Sequence, residues 1–239
     1  MTLGSLMLRG MTTQTSPKLE LAREQVAAAS RRLAAGGLVV DTAGNVSVRV
    51  GDRDAVRDRV AITPTGLALA AMTAEQVAIV DLDGNVVDGE LVPSSELYLH
   101  LGVYERYGAG AVVHTHAPMA TAVSCVLDEL PCVHYWMLAI GGDVPVAPFA
   151  TFGTQELARV TLDALEGRIA ALMANHGAIT YGHDMRAAVN AMEVLEWAAG
   201  VYCHAAPLGT PRVLEAAERQ AVIAAALERG YGSTREVQT

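Results

Sequence analysis

Two histidines separated by one residue, in Val112-Val113-His114-Thr115-His116, and a third in Ala174-Asn175-His176-Gly177 are the residues of this chain best equipped for chemistry. In extended backbone, side chains i and i+2 point the same way, so His114 and His116 can converge on one ion. Three neutral imidazoles leave a divalent cation such as Zn2+ with net positive charge and a coordination position open to a substrate oxygen, which distinguishes catalytic from closed structural sites. The plainer reading is two polar residues satisfied by local hydrogen bonds, and for an isolated His-x-His it weighs about as much. The rest of the chain has to decide between them.

The chain has 239 residues, 51% of them hydrophobic and 18% charged. That is enough apolar material for one full α/β domain, expected over residues 17–230. The net charge of -9 and the absence of a Lys/Arg cluster argue against binding nucleic acid. Cys125, Cys132 and Cys203 fall at no metal-ligand spacing and are odd in number, so they read as reduced thiols of a cytoplasmic protein. No run of about 18 apolar residues suggests a membrane span. Residues 1–16 lack the apolar core of a secretory signal and read as a disordered lead-in, and residues 231–239 as a flexible tail.

One lysine, Lys18, occurs in the whole chain. Any mechanism needing a buried Schiff-base lysine is therefore nearly excluded. A bound phosphate would have to be held by backbone N–H groups, hydroxyls, amides or an arginine.

The elements that must position these residues follow from pattern and punctuation. Pro17 to Ala35 reads as an amphipathic helix between Ser16 and Gly36-Gly37. Leu38 to Val50 and Val60 to Ile62 read as short strands, and Gln76 to Asp81 with Asn85 to Val87 as a hairpin around Asp83-Gly84. Pro93-Ser94-Ser95-Glu96 precedes a helix ending near Tyr107, with Glu96 in its first turn. Ala111 to His114 is a buried strand, Pro118 to Val126 a helix, Val144 to Ala147 extended, and Thr154 opens another helix. Strands at Ile169 to Met173 and Ala178 to Tyr181 lead to long helices over Asp184 to His204 and Pro211 to Gly230. Strands and helices without regular βαβ alternation predict an α/β fold of three layers, with helices on both sides of a mainly antiparallel sheet.

Taken in order, Gly44-Asn45-Val46-Ser47, Thr63-Pro64-Thr65-Gly66, Pro93-Ser94-Ser95-Glu96, His114-Thr115-His116 and Asn175-His176-Gly177 resemble the class II aldolase/adducin superfamily. His134-Tyr135-Trp136-Met137 and Ala147-Pro148-Phe149-Ala150-Thr151-Phe152-Gly153-Thr154 make the chain similar to its L-fuculose-1-phosphate aldolase branch. The resemblance covers roughly residues 20 to 205. It implies zinc on His114, His116 and His176, with Glu96 a fourth ligand of the empty site and the base once substrate arrives. It also implies a phosphate cradle of Gly44, Asn45, Thr65, Gly66, Ser94 and Ser95. Tyr135 matches a tyrosine that reaches across a subunit interface to protonate the aldehyde oxygen, which implies a homotetramer.

The reaction so implied is cleavage of a ketose 1-phosphate, L-fuculose 1-phosphate first, to dihydroxyacetone phosphate and L-lactaldehyde through an enediolate whose charge the metal stabilises. Two alternatives stand beside it. An L-ribulose-5-phosphate 4-epimerase, or another sugar-phosphate lyase, shares the scaffold, although the epimerases resemble this pattern with aspartate at the position of Glu96. An adducin-like head without catalysis resembles the fold but lacks the metal histidines. His100, one turn after Glu96, is a candidate to orient it; His134, His183 and His204 read as core or surface residues, and Tyr231 has no assigned role.

Overall fold

Strand alternation divides the polar from the apolar residues of this protein before any helix is added. The computed structural model describes residues 16–51 and 58–230. Residues 1–15 of the expected lead-in over 1–16, and the tail with Tyr231, lie outside these described residues, whereas Ser16 stands at the N-cap of the first helix. Strands β1 (Gly44–Val50), β2 (Arg59–Ile62), β3 (Ala78–Asp81), β4 (Val86–Asp88), β5 (Ala111–Thr115), β6 (Glu129–Leu130), β7 (Val144–Ala147), β8 (Ala170–Met173) and β9 (Gly177–Gly182) form one sheet. Their order is β4-β3-β2-β1-β5-β9-β8-β7-β6. Neighbours run antiparallel except β7 and β8.

At the centre, β1 and β5 pair Val46 with Val113 and Val48 with Ala111, all on one face. Asn45 opposite His114 and Ser47 opposite Val112 point to the other face. Helices α1 (Pro17–Ala35), α3 (Pro118–Ser124) and α5 (Met185–Ala205) cover the first face through Val26, Leu33, Val123, Met192 and Leu195. Helices α2 (Leu97–Tyr107) and α4 (Gln155–Ala164) cover the second through Leu99, Val103, Leu157 and Val160. The result is the expected three-layer arrangement with a mostly antiparallel sheet. Among the described residues no helix is long and apolar enough to cross a membrane.

Several boundaries differ from those the sequence suggested. Residues 38–43 do not join β1; Asp41 adopts φ 51° and turns the chain, leaving a single bridge between Val40 and Ala43. The last helix, α6 (Ala216–Arg229), begins five residues after Pro211, because Glu215 and Glu218 form a capping box and Leu214 N–H donates to the Cys132 carbonyl (2.9 Å). Glu96 sits at the cap position of α2 rather than inside its first turn, and its N–H donates to Ser94 Oγ (3.2 Å). A short 3-10 helix over Tyr135–Ile140, absent from the sequence reading, carries Tyr135.

Candidate active site

The register of β1 and β5 places His114 beside Asn45, and His116 follows two residues later at the strand's exit. His176 arrives from the tight turn between β8 and β9. There Asn175 takes φ 55°, His176 N–H donates to the Met173 carbonyl (3.0 Å), and β9 closes against β5. Two glycines permit this packing. A Cβ on Gly177 would lie 2.4 Å from the Thr115 carbonyl oxygen, and one on Gly44 would lie 2.9 Å from that of His114. Gly44, at φ 118°, therefore lets β1 approach the metal-motif strand.

The three imidazoles meet nearly edge to face, with ring centroids 4.8 to 4.9 Å apart. One nitrogen from each lies within 4.8 Å of the others. His114 is fully buried and its Nδ1 donates to the Ala178 carbonyl (2.9 Å), which leaves the Nε2 lone pair facing inward. That nitrogen lies 3.1 Å from His116 Nε2 and 3.1 Å from Glu96 Oε2. Glu96 Oε1 stands 3.4 Å from His176 Nε2, buried and without a hydrogen bond.

An acceptor lone pair, a carboxylate and two further imidazoles facing one another is a set of donors to a cation. Among the described residues its one buried carboxylate, Glu96, has only imidazoles and no lysine or arginine as ionic neighbours. A divalent metal fits this set: the nitrogens of His114, His116 and His176 would hold it, with a Glu96 carboxylate oxygen as a fourth donor.

The electrostatics agree with neutral ligands. Burial pushes the His114 and His116 imidazoles below their ordinary value, and burial together with neighbouring His114 brings His176 down to about 4. Burial works against ionising Glu96, but His114, the Asn45 amide and His176 outweigh it and hold the carboxyl below its usual range.

The candidate phosphate residues come together beside this centre. Thr65 N–H donates to the Val92 carbonyl and Ser94 N–H to the Thr63 carbonyl, both at 3.0 Å, stapling the Thr63–Gly66 turn to the Pro93–Glu96 segment. Gly44, Asn45, Thr65, Gly66, Ser94 and Ser95 line one cavity of 320 Å³ with Glu96, His116, His176 and Phe152. No lysine or arginine is among its described lining residues. Asn45 departs from the simple cradle role: its Oδ1 meets His100 Nε2 (2.5 Å) and its Nδ2 donates to Glu96 Oε2 (2.9 Å). One amide hydrogen is left for the cavity.

Tyr135 is not brought to this centre within the chain. It stacks on His134 and lines a separate groove with Trp136, Val222, Ile223 and Leu227. His134 accepts from Trp136 N–H, His204 Nδ1 donates to the Gly200 carbonyl, and His183 is a surface residue beside Asp184. His100 is linked to Glu96 through Asn45 and does not touch the carboxylate itself. Ser47 and Tyr104, which bond one another at 2.6 Å and continue from His100, were missed. The signal for them was present: Asn45 and Ser47 alternate on a strand, and Glu96, His100 and Tyr104 repeat at i, i+4 and i+8 on a helix.

Three imidazoles and a carboxylate at one end of an antiparallel sheet, sandwiched by helices, are the equipment of a metal-dependent lyase. The Class II Aldolase and Adducin N-terminal domain model matches residues 24–203, and the chain belongs to that family. It is 36% identical over 215 residues to a 5-deoxy-D-ribulose 1-phosphate aldolase of Bacillus thuringiensis serovar kurstaki, covering 90% of this chain and 98% of that protein. It is 39% identical over 197 residues to a 5-methylthioribulose-1-phosphate/5-deoxyribulose-1-phosphate aldolase of Rhodospirillum rubrum, covering 82% and 86%. A solved L-fuculose 1-phosphate aldolase superposes with a TM-score of 0.80 at 36% identity, over 87% of this chain and 96% of that one. These relatives make the chain a class II aldolase, a carbon–carbon lyase, and set aside the non-catalytic scaffold.

Proposed function

We propose that the protein cleaves a ketose 1-phosphate between C3 and C4, releasing dihydroxyacetone phosphate and a short aldehyde. The observation that carries this reading is Glu96: a buried carboxylate with one oxygen held by Asn45 and the other free of any hydrogen bond, wedged against His114 and His176. His114, His116 and His176 would hold a zinc ion, which when bound would supply a Lewis acid for the negative charge that develops on the substrate. In the condensing direction the ionised Glu96 removes a proton from C3; in cleavage it first takes up a proton from solvent and then gives it to C3. Gly44, Thr65, Gly66, Ser94, Ser95 and the remaining Asn45 amide hydrogen bind the phosphate without a cationic side chain, from N–H groups and hydroxyls.

Tyr135 of a neighbouring copy, as its phenolate, takes the C4 hydroxyl proton as the C3–C4 bond breaks, which balances by way of solvent the proton that Glu96 delivers to C3. Its placement outside the centre of its own chain supports this assignment, and with it a homotetramer. The free thiols are in keeping with the cytoplasm.

For the sugar we propose a deoxyketose 1-phosphate, with L-fuculose 1-phosphate the first substrate to test and a 5-deoxypentulose 1-phosphate the second. Both end in a methyl group, and Phe152, 69% exposed, offers the cavity an apolar wall. The names of the Bacillus and Rhodospirillum relatives support the pentulose, and that of the solved aldolase the fuculose. Glu96→Gln tests the reading: it should keep the metal and lose turnover, and full activity in that variant would remove Glu96 from its role.

A further inference from the structure

The polar residues behind Glu96 form a line rather than a cluster. Tyr104 Oη lies 2.6 Å from Ser47 Oγ, and Ser47 Oγ lies 2.6 Å from His100 Nδ1. His100 Nε2 then meets Asn45 Oδ1 at 2.5 Å, and Asn45 Nδ2 meets Glu96 Oε2 at 2.9 Å. All five residues are buried, His100 and Ser47 completely.

With a neutral His100 ring and an ionised Glu96, valence sets the direction of every bond. The carboxylate only accepts, so the amide nitrogen of Asn45 must face it and the amide oxygen must face His100. That oxygen only accepts, so His100 carries its proton on Nε2. Burial drives the His100 pKa down to about 3, so the ring is neutral and Nδ1 is a lone pair. Ser47 therefore spends its single proton on Nδ1, and its oxygen accepts from Tyr104. Burial pushes the Tyr104 phenol up, which keeps it a donor. Four donations run one way, from Tyr104 to Glu96.

We propose that Tyr104, Ser47, His100 and Asn45 are positioning residues that form this one-directional chain, which holds Glu96 Oε2 and so designates Oε1 as the oxygen that moves the proton. The chain prevents the Asn45 amide from flipping, since a flipped amide would set its oxygen against the carboxylate and its NH2 against the His100 N–H. Aligned donors also polarise one another, strengthening the last bond. The catalytic part of this inference rests on the aldolase reading; the proton positions do not.

Two measurements test it. Nitrogen-15 NMR of the labelled imidazoles at neutral pH, with the His100 signals identified by their loss in His100→Phe or displacement in Ser47→Ala, should show Nε2 protonated and Nδ1 bare. A protonated Nδ1 on His100 would overturn the chain whatever the enzyme's substrate. Solvent-hydrogen exchange into the hydroxymethyl carbon of dihydroxyacetone phosphate reads Glu96 directly. His100→Phe should slow it about 10- to 100-fold, the usual cost of losing a partner behind a metal-site residue, with bound metal and KM kept.

Tyr104→Phe, which removes one hydroxyl and keeps the ring, should slow exchange several-fold in the same direction and stands alone should His100→Phe not fold. Wild-type exchange in a folded, metal-loaded Tyr104→Phe, or a loss confined to KM, would overturn the positioning role. A wild-type protein that bound zinc and exchanged no hydrogen would instead count against the aldolase reading, while the NMR result would still judge the chain.

Discussion

The cavity at the ends of β1 and β5 and the groove beside Tyr135 are built on opposite plans. The first, 320 Å³, is lined mainly by glycines, hydroxyls, an amide, a carboxylate and imidazoles, with Asn45 held to Glu96 by a buried hydrogen bond. The second, 660 Å³, is lined by Trp136, Leu138, Val194, Ile223 and Leu227, and α6, which forms one wall, buries none of its side chains. Arg219, paired with Asp143, ties α6 to the loop before β7. The polar cavity is finished within one chain; the aromatic region displays its Tyr135 outward. On the proposed reading, metal binding and proton transfer at C3 would belong to a single chain, whereas proton transfer at the aldehyde oxygen would require a second copy.

The largest expected effect lies in the finished half. His114→Ala should abolish bound metal and reduce turnover to background, because His114 is the fully buried member whose Nδ1 contact with Ala178 aims its Nε2 inward. Stoichiometric metal with normal activity in that variant would break the comparison. Next, Tyr135→Phe should lower kcat about 10²- to 10⁴-fold with fold and metal content intact. Chains carrying Glu96→Gln, mixed and reassembled with Tyr135→Phe chains, should recover part of the activity, since some sites then combine a native Glu96 with a native Tyr135. No recovery in demonstrably mixed assemblies would return Tyr135 to a purely local role.

A smaller effect concerns acidity. His176 and His100 have folded pKa values of about 4 and about 3 against an ordinary 6.5, so below pH 6.5 the unfolded chain binds protons that the folded one does not. Their contribution is present above pH 6.5 and is lost as pH falls through that window. Thermal midpoints of chelator-treated protein should accordingly decline from pH 6.5 to 4, and a flat profile would contradict the burial argument. The smallest effect belongs to the groove: Leu227→Ser should change single-chain stability by no more than about 0.5 kcal/mol. Leu195→Ala in the core should cost about 2–5 kcal/mol, because it leaves a cavity. Equal costs would mean that α6 is part of the core after all.

The finished half was also the legible half. His114-x-His116 on a strand, Gly44-Asn45 before it and Pro93-Ser94-Ser95-Glu96 at a helix start are local patterns whose geometry follows from period-2 alternation and cap chemistry. Most helix and strand cores fell where expected for the same reason; α1 spans Pro17–Ala35 in both readings. What escaped depended on distant partners. The split of Asn45 between His100 and Glu96 requires β1 to lie under α2, and the start of α6 at Ala216 depends on Leu214 reaching Cys132. The 3-10 helix under Tyr135 has no period of its own to read, and it caps on the side chain of His134.

The central claim is that three histidines of one chain hold the metal with which Glu96 performs aldol cleavage. Its most direct test is release of dihydroxyacetone phosphate from L-fuculose 1-phosphate and from 5-deoxyribulose 1-phosphate in parallel, before chelation, after it and with zinc restored. Release from at least one sugar that stops with the chelator and returns with zinc is the predicted result. Release that persists in fully metal-free protein, or none from either sugar with zinc bound to every chain, would contradict it.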